Sequence, residues 1–303
     1  MNSILTKIQA LPKADVHSHL HLAGSQKRFA ERYPNANITF PSRYNGLSGM
    51  IDFIYGTLNK VMITSEDVTN FMDIAIQSAI DDNVKLLEAS VDAGLARFFD
   101  NSIDAVIETV QTLKERYNSE IDFKPDLGIN KDLALEKVYS DGVKCIKSGV
   151  FTGIDLYGQE VGKDLTPFVR LYDMAKDHGL KTKVHIGEFS DHLTIENTIE
   201  LLNPQELQHG IRAVDSEKTM DMILEKKIRL NICPTSNLSL GAVAHLEHHP
   251  VRKLFDHGIK VTINTDDLIL FNATITEEYE KLWRSQLFTF EEIELLNSNA
   301  LTL

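Results

Sequence analysis

Four short polar segments carry residue types that can do hydrolytic chemistry. The first is Asp15-Val16-His17-Ser18-His19-Leu20-His21. Histidines at i and i+2 of a strand project to one face, so His17 and His19 can share one metal ion. The second is Val184-His185-Ile186-Gly187-Glu188, where His185 can add a third imidazole and Glu188 a carboxyl group beside the metal. A carboxyl in a dry pocket has a raised pKa and can shuttle protons near neutrality. The third is Gln208-His209-Gly210, and the fourth is Ile263-Asn264-Thr265-Asp266-Asp267. Asp266 can complete a three-histidine, one-aspartate set with a position left for water, and Asp267 can accept a hydrogen bond from substrate. Taken singly, each segment has an ordinary explanation: paired surface histidines, an exposed loop acid, a turn histidine before glycine, a helix cap. Together they place ligand and proton-transfer groups at the ends of successive strands. His178, His192, His245, His248, His249 and His257 fall in helices or loops and read as surface histidines.

The elements that must position these groups alternate. Strand-like runs occur at Ala14–His19, Val84–Ser90, Ile121–Gly128, Gly153–Tyr157, Lys183–Gly187, Glu206–His209, Ile228–Cys233 and Ile259–Thr265. Only its position supports the run at Glu206–His209. Between most of them lie amphipathic helical stretches. Ser65 is placed to cap one, Thr166 and Pro167 to begin another, and Gly179 and Gly258 to end two of them. Such alternation implies parallel strands with crossover helices. Eight units imply a single (β/α)8 TIM-type barrel, with an open doubly wound sheet as the alternative. The segment Ala23–Ile63 breaks the rhythm and is expected to be a longer loop or helical insertion after strand one, over the site.

With 303 residues, 43% of them hydrophobic, the chain can bury a large core, and one domain over 1–303 is expected. The formal charge of −13 opposes binding to nucleic acid or to anionic membranes, but not to a small neutral molecule in a pocket. Two distant cysteines, Cys145 and Cys233, form no disulfide framework. No signal peptide and no membrane-length apolar run is visible, so a cytoplasmic protein is expected.

In order along the chain, six stretches resemble the adenosine deaminase family of the amidohydrolase superfamily. They are Leu11-Pro12-Lys13-Ala14-Asp15-Val16-His17-Ser18-His19-Leu20, Gly153-Ile154-Asp155-Leu156-Tyr157-Gly158-Gln159-Glu160, His185-Ile186-Gly187-Glu188, His209-Gly210, Cys233-Pro234-Thr235-Ser236-Asn237 and Asn264-Thr265-Asp266-Asp267. The resemblance implies one zinc ion per chain on His17, His19, His185 and Asp266. It implies Glu188 as proton shuttle to a purine ring nitrogen, and His209 as the group that orients and helps deprotonate the attacking water. It implies Gly158 as a backbone contact to the purine and Asp267 as an acceptor for its far edge. The implied reaction is hydrolytic release of ammonia from a small-molecule aminopurine.

The stretch after His19 is two residues longer than the family pattern. Anchored on Pro12-Lys13, the paired ligands are His17 and His19; anchored on Gly24-Ser25, they are His19 and His21. Where the family carries an acid that contacts ribose, this chain has His21 or Ala23, which assigns His21 to the substrate pocket. Glu88 lacks the arginine often found after it, and Leu268 replaces a usual proline. The expected substrate is therefore a 6-aminopurine nucleoside, base or related compound rather than adenosine by default. The competing readings are another metal-dependent hydrolysis, of an amide, lactone or phosphoester, and a non-catalytic relative. Strand four lacks the lysine that bridges two metals in many such hydrolases, and that favours one metal.

Overall fold

The computed structural model describes residues 2–302. Eight strands pair in parallel and in sequence order: β1 (Lys13–Asp15), β2 (Val84–Asp92), β3 (Asp122–Asn130), β4 (Gly153–Tyr157), β5 (Lys181–Ile186), β6 (Glu206–His209), β7 (Arg229–Ile232) and β8 (Val261–Ile263). A bridge between Ser18 and Asp266 and a 3.0 Å bond from the Asp266 N–H to the His17 carbonyl bring β8 back to β1. The sheet thus curls into a (β/α)8 barrel. Helices follow the strands on the outside, and the final helix, Phe290–Leu301, packs over β1 and β8.

Glu206–His209 is a full strand, buried along its length. β1 is shorter than expected and ends at Asp15. Beyond it the Val16 N–H bonds the Asn264 side chain at 2.9 Å instead of a strand backbone, so His17 and His19 sit on an irregular continuation of the strand. Two helix starts also shift by one residue. Thr64, not Ser65, caps the helix Ser65–Asp81, because its hydroxyl takes the Asp67 N–H while the Asp67 carboxylate reaches back to the Thr64 N–H. Leu165 precedes the short turn Thr166–Phe168, in which Pro167 fits the first turn. Gly179 and Gly258 adopt φ of +74° and +90°, the left-handed geometry that ends a helix. The insertion after β1 folds into the helices Gln26–Arg32 and Gly46–Gly56 and a turn at Leu58–Lys60.

Apolar side chains fill the space between strands and helices. The barrel interior is polar instead. Lys183 is fully buried, 2.6 Å from both the Glu88 and Asp126 carboxylates. Arg229 lies 2.8 Å from Glu206 in the same layer. Burial would push Glu88 up, but the Lys183, Lys181 and Arg229 charges overcome it and hold its carboxyl at about 2. Among the described residues no helix is long and apolar enough to cross a membrane.

Candidate active site

Ligand-type side chains converge where the strands end, at the C-terminal mouth of the barrel. His17, His19 and His185 bring ring nitrogens within 4.8 Å of one another. Asp266 Oδ1 lies 3.9 Å from His17 Nε2 and 3.8 Å from His19 Nε2. Asp266 holds φ of +59° and His209 φ of +68°, a region that non-glycine residues seldom occupy and that concentrates at functional sites. The Ser236 hydroxyl donates to Asp266 Oδ2 at 2.7 Å.

The donor set fits a cation. His17 Nδ1 faces the Asn231 carbonyl at 2.7 Å, so it carries the ring proton and leaves Nε2 a lone pair. His185 Nδ1 faces Asp155 Oδ1 at 3.0 Å, which frees its Nε2 in the same way. These two Nε2 atoms stand 3.1 Å apart. Two lone pairs facing each other repel unless an ion lies between them. Tetrahedral zinc with bonds near 2.0–2.1 Å would set such nitrogens roughly 3.3 Å apart. Cys233 Sγ lies 3.3 Å from His17 Nδ1, the nitrogen that faces the Asn231 carbonyl rather than His185, and it forms with His17, His209 and Asp266 a second buried group of possible ligand atoms within 4.8 Å of one another.

Glu188 is buried beside this cluster, with Oε2 3.6 Å from His209 Nε2. Burial first, then the Asp266 and Glu160 charges, push its carboxyl well above the usual range. Its loop is held by Glu160. That carboxylate accepts the N–H of Gly187 at 2.9 Å, of Ser190 at 3.0 Å, of Glu188 and Phe189 at 3.3 Å, and the Ser190 hydroxyl at 2.7 Å. Gly187 has φ of +75°, and a Cβ there would lie 2.4 Å from Ile195 Cδ1, so only glycine fits the turn.

The cluster opens into a cavity of about 340 Å³. Its polar lining includes Glu188, His209, Asp266, Asp267, Gly158 and His21, and its outer wall is apolar, from Leu47, Met50, Ile51 and Ile54 of the insertion. Asp267 Oδ1 and His21 Nδ1 are buried with no partner among the described residues. Burial, then Asp266, push the Asp267 carboxyl up to about 8. Gly158 holds φ of +100°, and a Cβ would come 2.7 Å from Asn130 Oδ1.

The sequence profile of the adenosine deaminase family matches residues 12–303. The chain belongs to the adenosine deaminase family. A protein of Treponema pallidum (strain Nichols), provisionally named an adenosine/adenine deaminase, is 36% identical over 88% of this chain and 89% of its own. The adenine deaminase of Arthrobacter aurescens shares the fold at a TM-score of 0.82, with 22% identity over 96% of this chain and 93% of that one. An amidohydrolase of Burkholderia ambifaria, solved with bound Zn, superposes at a TM-score of 0.77, with 19% identity over 98% of this chain and 86% of that one.

Within this family framework, the residues singled out in the sequence meet at one site: His17, His19, His185, Asp266, Glu188, His209, Asp267, Gly158 and His21 all lie in or against the cavity. His21 sits in the turn Leu20–Leu22, outside the close groups of ligand atoms. The reading of His249 as a surface residue is corrected. It is buried, and its Nε2 faces Oδ1 of Asn237, on the short helix Pro234–Ser239, at 3.2 Å. Sequence reasoning gave no role to Asp155, Glu160, Ser236 or Asn237. All four lay inside quoted stretches, but what they orient became visible only with their partners in place.

Proposed function

We propose that the chain is a zinc-dependent hydrolase that removes the 6-amino group of an aminopurine nucleoside, base or related compound as ammonia. One zinc per chain would be held by His17, His19, His185 and Asp266. A zinc ion bound there supplies an acidified water, with a pKa brought towards about 7. The observation that carries the reading is the raised, buried Glu188 carboxyl beside the convergent histidines. With its carboxyl pushed up by burial, it is suited to carry a proton and give it to a ring nitrogen as charge develops there. His209 faces the same space and orients the attacking oxygen. Asp267, raised to about 8 and unpartnered at Oδ1, is suited to hydrogen-bond the far edge of the purine. The Gly158 backbone in the cavity wall and the orphaned His21 ring nitrogen complete the substrate contacts. The unpaired cysteines and acidic surface suit a cytoplasmic enzyme acting on a small molecule.

The test is ammonia release by zinc-loaded protein from adenosine, adenine, adenosine phosphates and deoxy- or thio-adenosines. At least one should be turned over. Full zinc occupancy with no ammonia from any of them would refute the deaminase reading. Glu188→Gln should abolish turnover and keep the metal; persistent turnover would refute the shuttle assignment.

A further inference from the structure

We infer that His249, acting through Asn237, is a positioning residue that fixes the ring proton of His209 on Nε2 and aims the Glu188 carboxyl into the cavity. His249 is followed by Pro250, which has no N–H, so the first free amide of the helix Val251–Asp256 belongs to Val251. That N–H donates to His249 Nδ1 at 3.1 Å. A backbone amide can only donate, so Nδ1 carries no proton. Burial pushes the His249 ring down to about 4, which keeps it neutral, and its one proton is on Nε2.

That proton faces the Asn237 side chain at 3.2 Å. A donor there requires the amide oxygen, so the amide nitrogen must point the other way. It lies 2.6 Å from Glu188 Oε1 and 3.2 Å from His209 Nδ1. The amide orientation is thus set by the network rather than by the shape of the side chain. The Glu188 end alone would not set it, because a protonated carboxyl could equally donate to an amide oxygen. His249 breaks the tie. His209 Nδ1 then accepts, and its proton sits on Nε2, which faces Glu188 Oε2 at 3.6 Å and Asp266 Oδ2 at 4.0 Å. His209 therefore presents a donor to the reaction space, not a lone pair. It can hold an attacking oxygen by donating to it, and the receipt of a proton falls to another group.

The kinetic arm of the test rests on the deaminase reading; the spectroscopic arm does not. In zinc-loaded protein with ¹⁵N-labelled histidines, long-range ¹H–¹⁵N correlations report which ring nitrogen is protonated, and His209→Asn identifies the His209 signals. The expected result is a proton on His209 Nε2 and on His249 Nε2. A proton on Nδ1 of either ring overturns the inference, and this arm needs no variant at position 249. His249→Leu removes the donor, whereas His249→Gln keeps an N–H near the same place. Loss of kcat in His249→Leu should be roughly 10–100-fold, the range for partners that orient active groups at one remove. KM should change little, and His249→Gln should recover most of the loss. Equal kcat in the two variants, or wild-type kcat in His249→Leu, overturns the inference. If no aminopurine is turned over but the His209 proton is on Nε2, the relay stands and the proposed reaction falls.

Discussion

Replacing Glu160 by glutamine tests whether the Glu188 loop depends on a single carboxylate. Five donors converge on Glu160: four on Oε2 and one, the Glu188 N–H, on Oε1. In Glu160→Gln the amide oxygen can replace Oε2, but every bond becomes neutral, and the new NH2 group meets the Glu188 N–H donor to donor. Hydrogen bonds to a charged group contribute about 1.5–3 kcal/mol and neutral ones about 0.5–1.5, so each short bond loses about 1 kcal/mol. Three of the five are 3.0 Å or shorter, which gives a loss of about 3 kcal/mol in holding the loop. At roughly 2 °C per kcal/mol for a chain of this size, Tm should fall by roughly 6 °C. A loop freed to shift by about 1 Å costs on the order of 100-fold in rate. The variant should therefore keep its metal, because Glu160 touches no ligand side chain, and lose kcat far more than affinity. The assays are calorimetry, metal analysis and steady-state ammonia release. A variant that melts lower yet keeps kcat within about threefold would show that the loop finds its place without Glu160, and the reasoning would fail.

Asp155→Asn should leave the fold intact and weaken metal binding by roughly 10–100-fold in a chelator competition, because a donor opposite His185 Nδ1 moves the ring proton to the nitrogen that must ligate; unchanged affinity would count against that. Lys183→Met leaves the buried Asp126 carboxylate without its cation and Glu88 with only Lys181 and Arg229, which should cost about 3–5 kcal/mol and show as a Tm drop of roughly 6–10 °C; a stable variant would mean water reaches the barrel interior. His249 has a folded pKa of about 4, below its ordinary value, so the stability it contributes is fully present above about pH 6.5 and is lost as pH falls. By pH 5 that loss is about 2 kcal/mol, and the wild-type advantage in Tm over His249→Gln should shrink by the corresponding amount between pH 7 and 5.

The barrel was legible because its signals are local. Alternating runs and glycine stops depend on neighbours in sequence, and even Glu206–His209, four residues long, followed from the rhythm of the rest. The metal-type residues were legible because ligands sit at strand ends, where short motifs mark them. What was not legible is what points at those residues from elsewhere in the chain. Asp155 lies 30 residues from His185, Glu160 lies 27 from Gly187, and Asn237 lies 49 from Glu188. The polar barrel interior escaped for a related reason. Glu88, Asp126 and Arg229 each sit between two apolar neighbours and Lys183 follows Lys181 and Thr182, and only closure of the barrel turns the four into one ion-paired layer. The Thr64 cap was missed because Ser65 beside it is equally suited by type, and only the Asp67 carboxylate distinguishes them.

The shortest strands of the barrel are β1 and β8, three residues each, and they meet at the seam. Little backbone ladder holds that seam. The Ser18–Asp266 bridge, the Asp266-to-His17 amide bond, the bond from Val16 N–H to Asn264 and the Thr265 hydroxyl on Asp15 join it, all within three residues of His17 or Asp266. His17 and His19 approach from the β1 side and Asp266 from the β8 side. An ion held by these three would tie the two ends of the sheet together in the same act that assembles the site. Binding free energy at such a place is also folding free energy. That explains why irregular backbone is tolerated there, in the broken end of β1 and the left-handed Asp266. The segments that a regular ladder would have stiffened are the ones that must aim ligands inward. Stability is supplied instead from below by the buried ion layer and from outside by the helix Phe290–Leu301, neither of which touches the ligands. The mouth of the barrel is thereby left free to be shaped by chemistry rather than by packing.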